Sequence, residues 1–121
     1  MNDLDDLRGP AFRTFFGLAK SWGLSEEEQS GLLGHSPDLV ELWRQGAIDA
    51  AQPGDVARVA LFLGIYRALH TIFSNGEQAD AWPRRVHVTG PLKGSTALDY
   101  MLKEGLPGLK YVHTHLTALL H

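Results

Sequence analysis

Three histidines crowd the end of the chain, His113, His115 and His121, and neutral imidazoles are common metal ligands and general bases near neutral pH. Helical geometry separates the first two. Positions two apart on a helix lie about 200° apart around its axis, so His113 and His115 do not converge on one ion and read as a solvated helix face. His70 falls at the boundary of a long apolar stretch, with no group nearby in sequence placed to make it a base. His87 sits in an irregular segment and suits contact with a partner. No Ser-His-Asp order, glycine-rich phosphate loop or paired-carboxylate pattern stands out. With no cysteine among 121 residues, disulfides, thiolate nucleophiles and cysteine zinc sites are excluded. The expectation is a binding protein with no catalytic residue, no cofactor, no metal and no small-molecule ligand.

Composition agrees with a globular chain, at 44% hydrophobic and 21% charged residues. The length suits one domain, or two small helical modules sharing a core. No apolar run approaches the roughly 20 residues that cross a bilayer; the longest, Val59 to Ile65, is interrupted by Gly64. The acidic start, Asn2, Asp3, Asp5 and Asp6, is unlike the basic front of a secretory signal, so a cytoplasmic protein without membrane contact is expected. The formal charge of −3 is unevenly spread: residues 1–50 hold four Lys/Arg against nine Asp/Glu, residues 51–121 seven against five. The front half lacks the basic patch of a strong DNA binder.

Helical elements must position these groups. Phe12, Phe15, Phe16, Leu18, Ala19 and Trp22 repeat at helical spacing after Pro10, a residue suited to a first turn. The phenylalanines read as core rather than as a ligand pocket. Ser25 with Glu28 makes a capping box, opening a short helix that Gly34 stops. Ser36-Pro37 opens a third helix, running to Gly46. After a linker from Asp49 to Gly54, a helix from about Asp55 to Phe73 is apolar on two sides: Val56, Val59, Ala60, Leu63 and Tyr66 on one, Leu61, Phe62, Ile65, Leu69, Ile72 and Phe73 on the other. It reads as a central strut buried on both. Glu77 to Gly94 reads as irregular, and Arg85 to Thr89, though strand-like, as an extended loop for want of a partner. Thr96 with Asp99 caps a helix closing at Gly105. Pro107 starts the last one, with Leu109, Val112, Leu116, Leu119 and Leu120 inward and Lys110, His113, Thr114, Thr117 and His121 outward.

The fold expectation is therefore all-α. Residues 1–54 form a helix-turn-helix-like DNA-binding domain, 55–76 a central dimerisation helix, and 77–121 a small helical partner-binding domain. Leu24 to Gly46 has the helix, glycine turn and helix of the DNA-binding motif, with Ser30 as the small residue before the turn and Val40 and Trp43 inward. Ser36, Asp38, Glu41, Arg44 and Gln45 are its candidate DNA-binding residues. Arg44 and Gln45 suit DNA; Asp38 and Glu41 oppose it.

The segment Trp82-Pro83, then Leu92-Lys93-Gly94-Ser95-Thr96-Ala97-Leu98-Asp99-Tyr100-Met101-Leu102, Gly105, Leu109, Val112 and Leu116 resembles the toxin-binding domain of the Xre/MbcA/ParS antitoxin family. The front half is similar to the divergent helix-turn-helix preceding that domain, and together they span roughly residues 12–120. The sequence departs from the family pattern where Ala97 stands in place of a proline and Val86-His87 in place of a Pro-Asn pair. The resemblance implies a type II antitoxin that neutralises an NAD-consuming RES-domain toxin by covering its active-site entrance, and that represses its own operon. The candidate toxin-binding residues are Arg84, Arg85, His87, Lys93, Tyr100, Lys110, Tyr111, His113, Thr114 and His121. The charges among them suit steering of an acidic partner, and the tyrosines suit interface anchoring. The expected partners are the toxin, operator DNA and a second copy of the chain. Two other readings stay open, a stand-alone helix-turn-helix regulator with a helical dimerisation or sensing domain, and a structural adaptor.

Overall fold

The computed structural model describes the backbone of residues 3–88, 90 and 92–120, with side chains from Arg8 onward. Thr89 and Pro91 of the irregular segment, and His121, lie outside the described residues. The chain is all-helical and divides into two compact units, Met1–Leu63 and Gly64–His121.

The first unit holds α1 (Asp3–Ser21), α2 (Glu26–Leu33), α3 (Pro37–Arg44) and the front of α4 (Pro53–Ile72). Helix α1 starts earlier than the spacing predicts, so Pro10 lies inside it rather than in its first turn. A proline there forfeits one backbone bond. The stripe Phe12, Phe15, Leu18, Ala19 and Trp22 is buried as expected. The capping box at Ser25 is complete, its hydroxyl taking the Glu28 N–H at 3.0 Å while the Glu28 carboxylate takes the Ser25 N–H at 2.9 Å.

Gly34 ends α2 with φ +73°, and its lack of a side chain also leaves room for the Arg58 guanidinium, which donates to the Leu33 carbonyl at 3.0 Å. Ser36 caps α3, and Val40 and Trp43 point inward as predicted. Trp43 is the centre of this core: its ring lies 4.9 Å from Phe12 and 5.0 Å from His35, while Phe15 meets Phe62 at 5.4 Å. Burying such side chains contributes roughly 1.5–3 kcal/mol each.

Helix α4 begins two residues early because Asp55 accepts the N–H of Gln52 at 2.9 Å and fixes the turn around Pro53. It is not fully buried on two sides. Phe62, Ile65, Ala68 and Leu69, with Val59, are buried, whereas Val56, Leu63 and Tyr66 are only half-covered and Ala60 is exposed. One broad stripe is closed off and the opposite one is left at the boundary.

The second unit holds the rest of α4, then α5 (Gly76–Ala81), a 3-10 turn at Trp82–Arg84, α6 (Ala97–Glu104) and α7 (Leu106–Ala118). Helix α5 stands where the composition reads as irregular: Asn75, which looks like a breaker beside Gly76, caps it by accepting the Gln78 N–H at 3.0 Å. Beyond the 3-10 turn the chain is an extended loop, as expected. His87 ties it to itself, donating its N–H to Ser95 at 3.0 Å and accepting from Gly94 at 2.7 Å. Thr96 caps α6, and Gly105 turns the chain into α7, which packs chiefly on α6. Leu109, Val112 and Leu116 are buried, but Leu119 and Leu120, predicted to face inward, are 61% and 40% exposed. The helix ends at Ala118, so the inner stripe stops one turn short.

Candidate functional site

Two faces carry the residues that the sequence singles out, one in each unit. On α3, Ser36 and Asp38 are exposed at the helix start and Gln45 at its end. The Ser36 hydroxyl is occupied by capping, taking the Leu39 N–H at 3.3 Å. Arg44, the cation of the set, faces back into its own unit: it pairs with Glu41, donates to the Gln29 amide oxygen at 2.8 Å and lies 5.2 Å over the Phe16 ring. Gln29 is itself buried and donates to the Leu24 carbonyl at 3.0 Å. The Leu24–Gln29–Arg44 chain fastens α3 to α2. Gln45 donates to Glu41 at 3.2 Å, so three of the five candidate residues satisfy one another. Spacing shows none of this, because Gln29 and Arg44 are fifteen residues apart.

In the second unit the ten candidates separate into groups. At about 100° per residue, Tyr111 and His115 flank the buried stripe of α7 on one side and His113 on the other, with Lys110 and Thr114 on the solvent side. His113 is not on the outer face as predicted. Its ring packs against Gly64, where a methyl group would lie 2.6 Å from Nε2. Glycine in the middle of α4 is what lets the ring approach.

The other flank builds a run of rings. Tyr100 meets Tyr111 edge-on at 5.7 Å, and Tyr111 stacks on His115 at 6.2 Å. Trp82 meets His87 edge-on at 5.1 Å. Burial, then the charges of His115 and Arg85, pushes the His87 pKa below the usual histidine range. The Nε2 of His87 is buried with no hydrogen-bond partner among the described residues. Around these rings stand Val86 and Val88, 60% and 78% exposed. Arg84, Arg85 and Lys93 are exposed, the Arg85 guanidinium lying 5.7 Å over Phe73. His121 is outside the described residues.

The structure thus gathers Arg85, His87, Tyr100 and Tyr111 with two residues not in the predicted set, Trp82 and His115. The i, i+4 spacing of Tyr111 and His115 was the available signal for the second. His70 also has an orienting carboxylate that its sequence neighbourhood does not show: Asp80 of α5 approaches Nε2 at 2.8 Å, and Tyr66 stacks on the ring at 4.3 Å. Among the described residues, no three His, Asp or Glu side chains group to hold a metal ion, and no helix is long and apolar enough to cross a membrane.

No family model matches the chain. It is 34% identical over 116 residues to the uncharacterized protein y4oB of Sinorhizobium fredii, an overlap of 94% of this chain and 88% of the relative. The chain belongs to the y4oB family. At 94% of this chain the overlap extends over most of both units.

Proposed function

We propose that this protein is a cytoplasmic antitoxin that acts without catalysis, its C-terminal unit binding a RES-domain toxin and its α2–α3 segment binding operator DNA as a homodimer. The observation that carries the toxin half is the ring cluster of Trp82, His87, Tyr100, Tyr111 and His115, edged by exposed Val86 and Val88. Aromatic anchors with wet polar edges and exposed aliphatics are the make-up of a protein interface centre. The resemblance of the Trp82 to Leu116 segment to antitoxin toxin-binding domains supplies the partner class. Deleting the chain from Pro107 onward abolishes neutralisation on this reading. Since α7 also fills the core, Tyr111→Asp is the cleaner variant: it leaves the buried stripe intact and abolishes co-purification with the toxin of the adjoining gene. Full neutralisation by a folded Tyr111→Asp protein overturns the proposal.

The DNA half is supported by the inward Val40 and Trp43 of α3 beside exposed Ser36, Asp38 and Gln45. Arg44 also fastens α3 to α2, so Gln45→Ala is the informative change. It weakens operator retention on a gel several-fold and leaves toxin binding alone. A stand-alone regulator, favoured by the same α3 pattern, binds operator DNA equally but has no toxin gene beside its own.

A further inference from the structure

The N-terminal unit contains a pocket of about 400 Å³ between α1 and the end of α3, a volume within the range of small-molecule sites. Its apolar lining is Phe12, Phe16, Trp43 and Ile48. Phe12 and Trp43 are nearly fully buried, so they present fixed edges, and Phe16 is half-buried. Trp43 keeps its indole N–H buried with no acceptor among the described residues, and buried donors are seldom left unpaired without reason. Two guanidinium groups also line the pocket, those of Arg13 and Arg44. They are not equivalent. Arg44 is neutralised by Glu41 and held by Gln29 over the Phe16 ring. Arg13 is exposed and pairs with no carboxylate among the described residues.

We infer that this pocket binds a planar aromatic monoanion, an aromatic carboxylate of one or two rings. Phe16 offers the accessible ring, with Phe12 and Trp43 as the closed floor behind it, and a flat apolar body packs best against such rings. Arg13, the one lining guanidinium paired with no carboxylate among the described residues, selects one negative charge, and its planar fork matches a carboxylate. A multiply charged phosphate would meet only one uncompensated cation in a mostly apolar site, and burying the remaining charge is costly. This site is independent of the toxin role proposed above, and it shares Arg44 and Gln45 with the end of α3 that the DNA reading uses.

The probe is 2-naphthoate, titrated into the full-length chain by calorimetry and tryptophan fluorescence, with the neutral 2-naphthylmethanol as control. Saturable one-to-one binding of naphthoate is expected, with the alcohol about tenfold weaker, which corresponds to about 1.4 kcal/mol. Arg13→Gln brings naphthoate down to the level of the alcohol. Gly9 lines the pocket from within α1, and a side chain there meets only the mobile ends of Arg13 and Ile48. Gly9→Leu therefore fills the space while raising helix propensity, and it abolishes binding without lowering the unfolding temperature. Absence of saturable binding, equal affinity for the alcohol, or binding that survives Gly9→Leu overturns the inference.

Discussion

On the candidate face of the N-terminal unit the polar side chains are engaged with one another: Arg44 with Glu41 and Gln29, and Gln45 with Glu41. On that of the C-terminal unit, rings meet rings, and exposed valines flank a histidine whose Nε2 has no partner among the described residues. The charge balance differs too, since residues 1–63 hold five Lys/Arg against ten Asp/Glu and residues 64–121 six against four. A surface whose hydrogen bonds are already satisfied gains little from a new partner, whereas apolar area in water gains roughly 25 cal/mol for each Å² covered. The C-terminal face is therefore the stronger docking surface. On the proposed DNA reading, the N-terminal face, acidic and already paired, needs a second copy of the chain to supply enough phosphate contacts.

The sharpest way to separate the units is to remove the centre of one. Trp43→Ala leaves a large cavity beside Phe12 and His35 and destabilises the N-terminal unit by about 3–5 kcal/mol. Urea unfolding followed by hydrogen exchange locates that loss in residues 1–63. A comparable loss of protection throughout α6 and α7 would mean that the units do not unfold separately.

Next in size is a surface change with the opposite profile. Val88 is 78% exposed, so Val88→Asp alters stability by no more than about 0.5 kcal/mol while weakening toxin binding at least tenfold, about 1.4 kcal/mol, by calorimetry. A variant that lost stability and binding together would make the loop a structural element instead of a contact.

How far the sequence discloses these units depends on the range of the interaction concerned. Caps are local, so Ser25 with Glu28, Ser36 and Thr96 mark three helix starts correctly. Asn75 misleads because the same side chain that ends one helix caps the next. Leu119 and Leu120 continue an apolar period past the point where the helix itself stops. His113 is misplaced for another reason, and the orienting partner of the boundary residue His70 is missed for the same one: their environments come from Gly64 and Asp80, on other helices. At the candidate sites the residue types are legible, but their partners are not. Nothing in the spacing shows that Arg44 is tied to Gln29, or that Trp82 and His87 form one cluster with Tyr111 and His115.

The close approach at Gly64 yields a smaller effect with a sign that can be checked. Alanine in a helix interior is favoured over glycine by about 1 kcal/mol, but here a methyl group meets the His113 ring, which must move. Gly64→Ala is thus expected to gain little in the native background and about 1 kcal/mol in a His113→Ala background. A double-mutant cycle by thermal unfolding measures the difference, and equal gains in both backgrounds would show that the ring yields freely.

The smallest effect is one of pH. His87 has its native-state pKa lowered by burial, His115 and Arg85, so the unfolded chain binds its proton more readily than the folded one. Stability from this group is full above the ordinary histidine pKa of about 6.5 and declines as pH falls below it. His87→Gln removes that slope, and urea midpoints at pH 7.5 and 5.5 should lie closer together in the variant than in the parent. Parallel profiles would show that the loop carries no such penalty.

The border between the two units falls within the uninterrupted run of α4, between Leu63 and Gly64. A gene crossover at that border would hand each descendant a truncated helix with raw backbone ends and no cap to satisfy them. Shuffling the two units as separate cassettes therefore cuts a helix, and the pair is best inherited whole.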